Sequence, residues 1–99
     1  MIVDPPRRVL VVSVHDMPSG GSIDRLLSGG CKHRDVPELG RDAKLTFGCE
    51  SNPLAEVHVA AGPRVITLRW NPGGPEPGEA EQAALIELGR YARSVETSR

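Results

Sequence analysis

Alternating apolar and polar residues mark four stretches of the chain as β-strands. Arg8 to His15 gives the strongest signal, and because its side chains are largely apolar on both faces, it predicts a central strand covered on both sides. The segments Lys44 to Cys49, Leu54 to Ala60 and Arg64 to Trp70 alternate as half-buried strands do. Ala61-Gly62-Pro63 connects the last two segments, which predicts a hairpin.

One long helix is predicted near the C-terminal end of the chain. The segment 71–78 contains three Pro and three Gly, so it ends the last strand and precedes the helix. The helix is expected from Glu79 to about Ser94, with acidic residues in its first turn and Arg in its last. Apolar residues recur at helical spacing and are expected to pack on the sheet; they are Ala84, Leu85, Leu88, Tyr91, Ala92 and Val95. Ile86 lies opposite this stripe, and Trp70 is expected to be partly buried against the helix.

The segments between these elements give weaker signals. Ser22 is a reasonable N-cap, so Ile23 to Ser28 is predicted to form one or two helical turns. The charged segment from Cys31 to Ala43 contains Pro37 and Gly40 and is predicted to be an irregular surface loop.

This order of elements predicts a small α+β domain. The sheet is expected to be mostly antiparallel, with about four strands, and the C-terminal helix packs on one of its faces. The strand–helix–strand beginning leaves open a parallel placement of the first strand. Residues 1–7 are expected to form an extended tail, residues 8–95 the single domain, and residues 96–99 a frayed end.

Charge and composition exclude several classes of function. The formal net charge is -1 and no basic cluster occurs, so binding to a nucleic acid is not expected. No apolar run approaches the roughly 20 residues that span a bilayer, and no signal peptide is visible, so a cytoplasmic location away from membranes is predicted. Of the 12 basic residues 10 are Arg, which indicates a GC-rich genome such as that of an actinobacterium or its phage.

Four residues form a candidate metal site: Cys31, His33, Cys49 and His58. Thiolate and imidazole are ligands that zinc prefers, although only Cys31 and His33 are closely spaced. Three other interpretations stay open at this stage. The cysteines are free thiols, as is usual in the cytoplasm, or they form a disulfide around the irregular segment. Alternatively, Cys31 is a nucleophile whose pKa is lowered by His33 and Arg34.

Two further motifs carry weaker chemical signals. Ser19-Gly20-Gly21-Ser22 resembles an anion-binding loop before a helix, but it lacks the Lys that phosphate loops place before Ser or Thr. His15-Asp16, at the end of the first strand, is a candidate pair for proton transfer. Neither motif identifies a catalytic residue or a cofactor, and none is predicted.

The functional prediction that follows most directly from the apolar pattern is association with a protein. One helix covers only one face of a small sheet, whereas the first strand is apolar on both faces. Residues expected at the resulting interface are Val9, Val11, Leu26 and Leu27. We therefore predict a non-catalytic protein-binding or regulatory module, whose partner is a second copy or another protein. The alternative is a metal-binding protein or enzyme that uses the four candidate ligands.

Overall fold

The computed structural model describes residues 9–17, 23, 30–49, 54–71 and 77–98. Within these residues it shows one antiparallel sheet of five strands, with a single C-terminal helix packed against one face. The predicted α+β class is confirmed, with one strand more than expected. The helix that is described is not long and apolar enough to cross a membrane.

All neighbouring strands of the sheet are antiparallel. The strands are β1 (Val9–Asp16), β2 (Lys32–Asp35), β3 (Lys44–Phe47), β4 (Ala55–Ala61) and β5 (Arg64–Asn71), and the helix is α1 (Glu79–Thr97). Their order across the sheet is β1-β5-β4-β3-β2. β1 and β2 are therefore the two edges, and β4 lies at the centre.

The predicted β4–β5 hairpin is confirmed, and its turn explains the local sequence. Ala61 pairs with Arg64, so Gly62 and Pro63 are the two central residues of the turn. Gly62 has φ 63°, which glycine adopts without the steric cost of a Cβ. Because proline fixes a negative φ at the second position, the turn is type II′, which matches the twist of antiparallel strands.

β1 lies at an edge of the sheet, not at its centre as predicted. It pairs with β5 along its whole length, from Val9 opposite Asn71 to Asp16 opposite Arg64. All eight of its residues are exposed. An apolar run on both faces shows that a strand needs covering on both sides, but it does not show that the same chain provides the cover.

The segment from Cys31 to Ala43 is more regular than predicted. It contains β2 and a 3-10 turn at Pro37–Leu39, and it buries Val36, Leu39 and Ala43 in the core. The Val36 N–H donates to the Ala43 carbonyl oxygen over 3.0 Å. The β2 strand could not be recognised from alternation, because all four of its residues are charged or polar.

α1 contacts the sheet through a different side than predicted. Its buried residues are Leu85, Ile86 and Gly89. Ile86 was expected on the outer side, whereas the members of the predicted apolar stripe that prove to be exposed are Ala84, Leu88, Tyr91 and Val95. The helix also continues to Thr97, beyond the predicted end at Ser94, and the Ser98 N–H bonds to the Ser94 and Val95 carbonyl oxygens.

Gly89 explains why α1 contacts the sheet through this side and not through the predicted stripe. A Cβ atom built at Gly89 would lie 3.2 Å from Val57 Cγ1, 3.3 Å from Leu39 Cδ1 and 3.5 Å from Val59 Cγ2. The missing side chain therefore lets the α1 backbone approach β4 closely. Side-chain size and spacing predicted the stripe of larger residues instead, because a glycine contributes nothing to a hydrophobic pattern.

Trp70 is half-buried against α1, as predicted, and its Nε1 donates to Glu81 Oε2 over 2.6 Å. Ile23 is fully buried. The rest of the predicted turn at Ile23–Ser28, including the proposed interface residues Leu26 and Leu27, lies outside the described residues, as does the predicted tail at 1–7.

We expect Gly89→Ala to destabilise the protein, although alanine favours a helix by about 1 kcal/mol relative to glycine. The added methyl group would press on Val57 and Leu39, both fully enclosed, and overpacking of this kind costs about 1–3 kcal/mol. The free energy of unfolding is measured in urea. Ala83→Gly, at an exposed position of α1, is the control for helix propensity. A Gly89→Ala variant more stable than the wild type would contradict the close packing.

Candidate functional site

A disulfide bond joins the two ends of the β2–β3 hairpin. Cys31 directly precedes β2, Cys49 follows β3, and their sulfur atoms are bonded to each other. The antiparallel pairing of β2 with β3, which the sequence did not reveal, brings the two Cα atoms to 4.0 Å. The expectation of free thiols is therefore wrong. A disulfide sulfur is not a thiolate, so in this state Cys31 and Cys49 are neither zinc ligands nor nucleophiles.

The four candidate ligands are not assembled into a metal site. Among the residues that the structure describes, no group of three or more His, Cys, Asp or Glu side chains is arranged to hold a metal ion. His33 and His58 each face a threonine of a neighbouring strand instead. The His33 Nδ1–Thr46 Oγ1 and His58 Nδ1–Thr67 Oγ1 distances are both 3.1 Å.

These threonines belong to a polar layer on the sheet face opposite α1, which consists of Thr46, Glu56, His58, Thr67 and Arg69. Strand register explains the grouping: Glu56 lies opposite both Thr46 and Arg69, and His58 lies opposite Thr67. Since Val57 and Val59 face α1, alternation turns Glu56 and His58 to the other face. Both side chains are nevertheless buried, with 5% and 3% of their surface exposed.

Hydrogen bonds and charge pairs satisfy the buried groups of the polar layer. Arg69 Nη2 lies 3.4 Å from Glu56 Oε2, and His58 Nε2 lies 3.8 Å from the same oxygen. Burial lowers the pKa of His58, and the charges of Arg69, His15 and His33 act in the same direction, whereas Glu56 opposes the shift. Every buried side-chain nitrogen and oxygen that the structure describes has a hydrogen-bond partner. The layer is thus a satisfied polar core rather than a set of groups awaiting a ligand.

Of the other two chemical motifs, the structure describes only the His15-Asp16 pair. His15 and Asp16 lie at the exposed end of β1, opposite Val65 and Arg64. Ser19-Gly20-Gly21-Ser22 lies outside the described residues.

An apolar groove runs between β1 and α1, and we call it the β1–α1 groove. One wall is formed by Leu10, Val12 and Val14 of β1, and the other by Leu88, Tyr91 and Val95 of α1. Ile66 and Leu68 of β5 form its floor, and the open groove has a volume of about 340 Å³. All six wall residues are exposed by at least 41%, and Tyr91 by 70%.

The groove follows from the position of the helix on the sheet. α1 contacts β4 more extensively than β5, because Gly89 brings it close to Val57 and Val59. The helix-facing side chains of β1 therefore extend beyond the edge of α1. Leu88, Tyr91 and Val95, on the side of α1 nearer to β1, are therefore exposed by 43%, 70% and 41%.

The outer edge of β1 has no partner strand within the part of the chain that the structure describes. β1 pairs with β5 on one side only, so none of the described strands pairs with the backbone N–H and C=O groups on its other side. Val9 and Val11, which were predicted to lie at an interface, are 42% and 47% exposed on the sheet face away from α1. The sequence identified these two residues correctly as uncovered apolar positions, but it missed the role of α1 in forming the groove.

Comparison with known proteins adds no family to this description. No protein-family model matches the chain, and neither a curated protein nor a solved structure matches it.

We expect loss of the disulfide to destabilise the fold by about 3 kcal/mol, because the bond closes a loop of 18 residues and restricts the unfolded chain. The measurement compares urea unfolding of the wild type with that of Cys31→Ser/Cys49→Ser. Equal stabilities would show that the β2–β3 hairpin needs no covalent closure.

We also expect stability to decrease as the pH falls below 6.5, the ordinary pKa of histidine. His58 has a lower pKa when folded than when unfolded, so the unfolded chain binds more protons between the two values. The stabilisation is therefore complete above 6.5 and lost as the pH falls toward the folded pKa. Urea unfolding between about pH 8 and pH 5 measures it. His58→Gln is expected to flatten this dependence, because it removes the titrating group. The same slope in His58→Gln as in the wild type would contradict the assignment.

Proposed function

We propose that this protein is a non-catalytic protein-binding module whose binding surface is the outer edge of β1 together with the β1–α1 groove. The observation that carries the proposal is the exposure of large apolar side chains along both faces of β1 and on the adjacent side of α1. Five of them lie on β1 and three on α1; they are Val9, Leu10, Val11, Val12, Val14, Leu88, Tyr91 and Val95. Contiguous apolar patches of more than a few hundred Å² are rare on monomeric proteins and mark interaction sites.

The two edges of the sheet differ in a way that supports this proposal. β2 has only four residues, Lys32 to Asp35, and all are charged or polar. Short length and charge are the features by which edge strands avoid pairing with other chains. β1 has eight residues and no Lys or Pro, and its first four are all apolar. Of the two described edge strands, β2 carries these protective features and β1 does not, so the β1 edge is the one suited to pair with another strand.

The chemistry of this surface favours a protein partner. An extended segment adds to an open sheet edge through backbone hydrogen bonds, and its side chains enter neighbouring apolar pockets. β1 and the β1–α1 groove provide both features side by side. A formal net charge of -1 gives no general attraction to nucleic acids or anionic membranes.

Two expectations from the sequence have less support. The metal-binding or enzymatic alternative required free Cys31 and Cys49, and the disulfide removes both thiolates. The cytoplasmic location stays a prediction, as does the actinobacterial or phage source. Because disulfides persist mainly in oxidising compartments, the Cys31–Cys49 bond weighs against the cytoplasm.

Site-specific photo-crosslinking in the native host tests the proposed surface. A photoreactive residue in place of Val12 is expected to give discrete crosslinked proteins, whereas the same residue at Ala83, on an exposed side of α1, serves as the control. Adding Val14→Lys next to the Val12 probe should remove the products, because it places a charge in the groove. Identical products from the two probe positions would contradict a binding surface at β1.

A further inference from the structure

We propose that the Cys31–Cys49 disulfide is a redox switch that controls the pairing of the edge strand β2 with β3. While the bond is intact, β2 stays on the sheet and covers the outer edge of β3. Reduction by a dithiol releases β2 and opens that edge. The switch goes beyond the proposed binding surface at β1, because it acts at the opposite edge of the sheet.

The pairing of β2 depends on the disulfide because its own side chains hold it weakly. All four residues of β2 are charged or polar, and all are exposed. They contribute a hydrogen bond between His33 and Thr46 and an ion pair between Asp35 and Lys44, in which the carboxylate is largely exposed. Exposed ion pairs contribute little to stability. Since no side chain of β2 is buried, the covalent bond at Cys31 is what fixes the beginning of the strand.

Departure of β2 would leave the hydrophobic core of the described residues intact. That core is built from β3, β4, β5, α1 and the segment around the 3-10 turn, and β2 contributes no side chain to it. Val36, directly after β2, and Leu39 are fully buried, so the chain beyond β2 stays anchored. Reduction is therefore expected to open the structure locally at residues 31–35, while α1 stays packed on the sheet.

The position of the disulfide suits an attack by a reductant. Both cysteines are partly exposed, and exposed disulfides are the labile ones in folded proteins. One thiolate of a dithiol attacks a sulfur of the bond, forms a mixed disulfide and releases the other cysteine as a thiolate. The second thiol of the reductant then closes its own disulfide and releases the first cysteine. Two electrons thus pass from the dithiol to the chain, and the two protons of the dithiol end on Cys31 and Cys49.

The backbone pattern shows which groups of β3 the switch would uncover. The Val36 N–H donates to the Ala43 carbonyl oxygen, and these two residues continue the register of β2 with β3. Because hydrogen-bonded pairs alternate along an antiparallel ladder, the backbone groups of Leu45 and Phe47 face β2, whereas those of Thr46 face β4. Reduction therefore makes the Leu45 and Phe47 groups available to another strand, and the thiol state controls access to this edge.

Amide hydrogen exchange of the purified full chain, followed residue by residue by nuclear magnetic resonance, tests the switch. In dithiothreitol the Leu45 and Phe47 amides should lose their protection, whereas the Thr46 amide in the same strand should keep it. Alkylation of a parallel sample by iodoacetamide confirms that both cysteines are reduced. The matched control is Cys31→Ser/Cys49→Ser, which should show the reduced pattern without dithiothreitol and should not respond to it.

Three results would overturn the proposal. Equal protection of Leu45 in the oxidised and the reduced chain would show that β2 stays paired without the bond. Loss of protection at Thr46 and throughout β4 and β5 would show that the disulfide supports the whole fold, and a double-serine variant that fails to fold has the same meaning. A folded chain whose disulfide resists dithiothreitol would show that the bond is closed to reductants.

Discussion

The close approach of α1 to β4 at Gly89 determines what the rest of the surface looks like. The helix follows the centre of the sheet because Val57 and Val59 leave room for a backbone without a side chain. One helix has a limited width, so a position over β4 leaves β1 uncovered. A side chain at residue 89 would move the axis of α1 away from β4. The exposed groove is therefore a consequence of how α1 packs on β4 in the core, and not of a surplus of apolar residues.

The two faces of the sheet are stabilised in different ways. On the α1 side, burial of aliphatic side chains from three neighbouring strands and the helix provides the hydrophobic core. On the other side, Glu56 and His58 are buried, and the half-exposed Arg69 guanidinium and the Thr67 hydroxyl provide their polar partners. Removal of one member leaves a buried polar group without its partner, which costs more than the bond itself contributes. This layer therefore specifies how β3, β4 and β5 align.

The sequence predicts the local elements well, but not their positions in the sheet. The β4–β5 hairpin was predictable because alternation and Gly62-Pro63 both act over short distances. β2 was not, since a charged strand has no apolar period and is stabilised by pairing with β3 and by the disulfide. Alternation also cannot distinguish a central strand from an edge strand with apolar residues on both faces, which is why β1 was misplaced. The exposure of Val9 and Val11 follows from the same pattern, since one helix covers only one face of the sheet. Their place at an interface stays a prediction.

The position of α1 is the central claim of this account, and nuclear Overhauser contacts in the isotope-labelled protein test it most directly. If α1 lies over β4, strong contacts are expected from the Gly89 α-protons to the methyl groups of Val57 and Val59. A helix centred over β5 and β1 would instead bring the Tyr91 ring against Val12 and Val14 of its own chain, and Gly89 would lose its contacts with β4. That second pattern would contradict the account, because the groove and the open β1 edge both depend on where the helix lies.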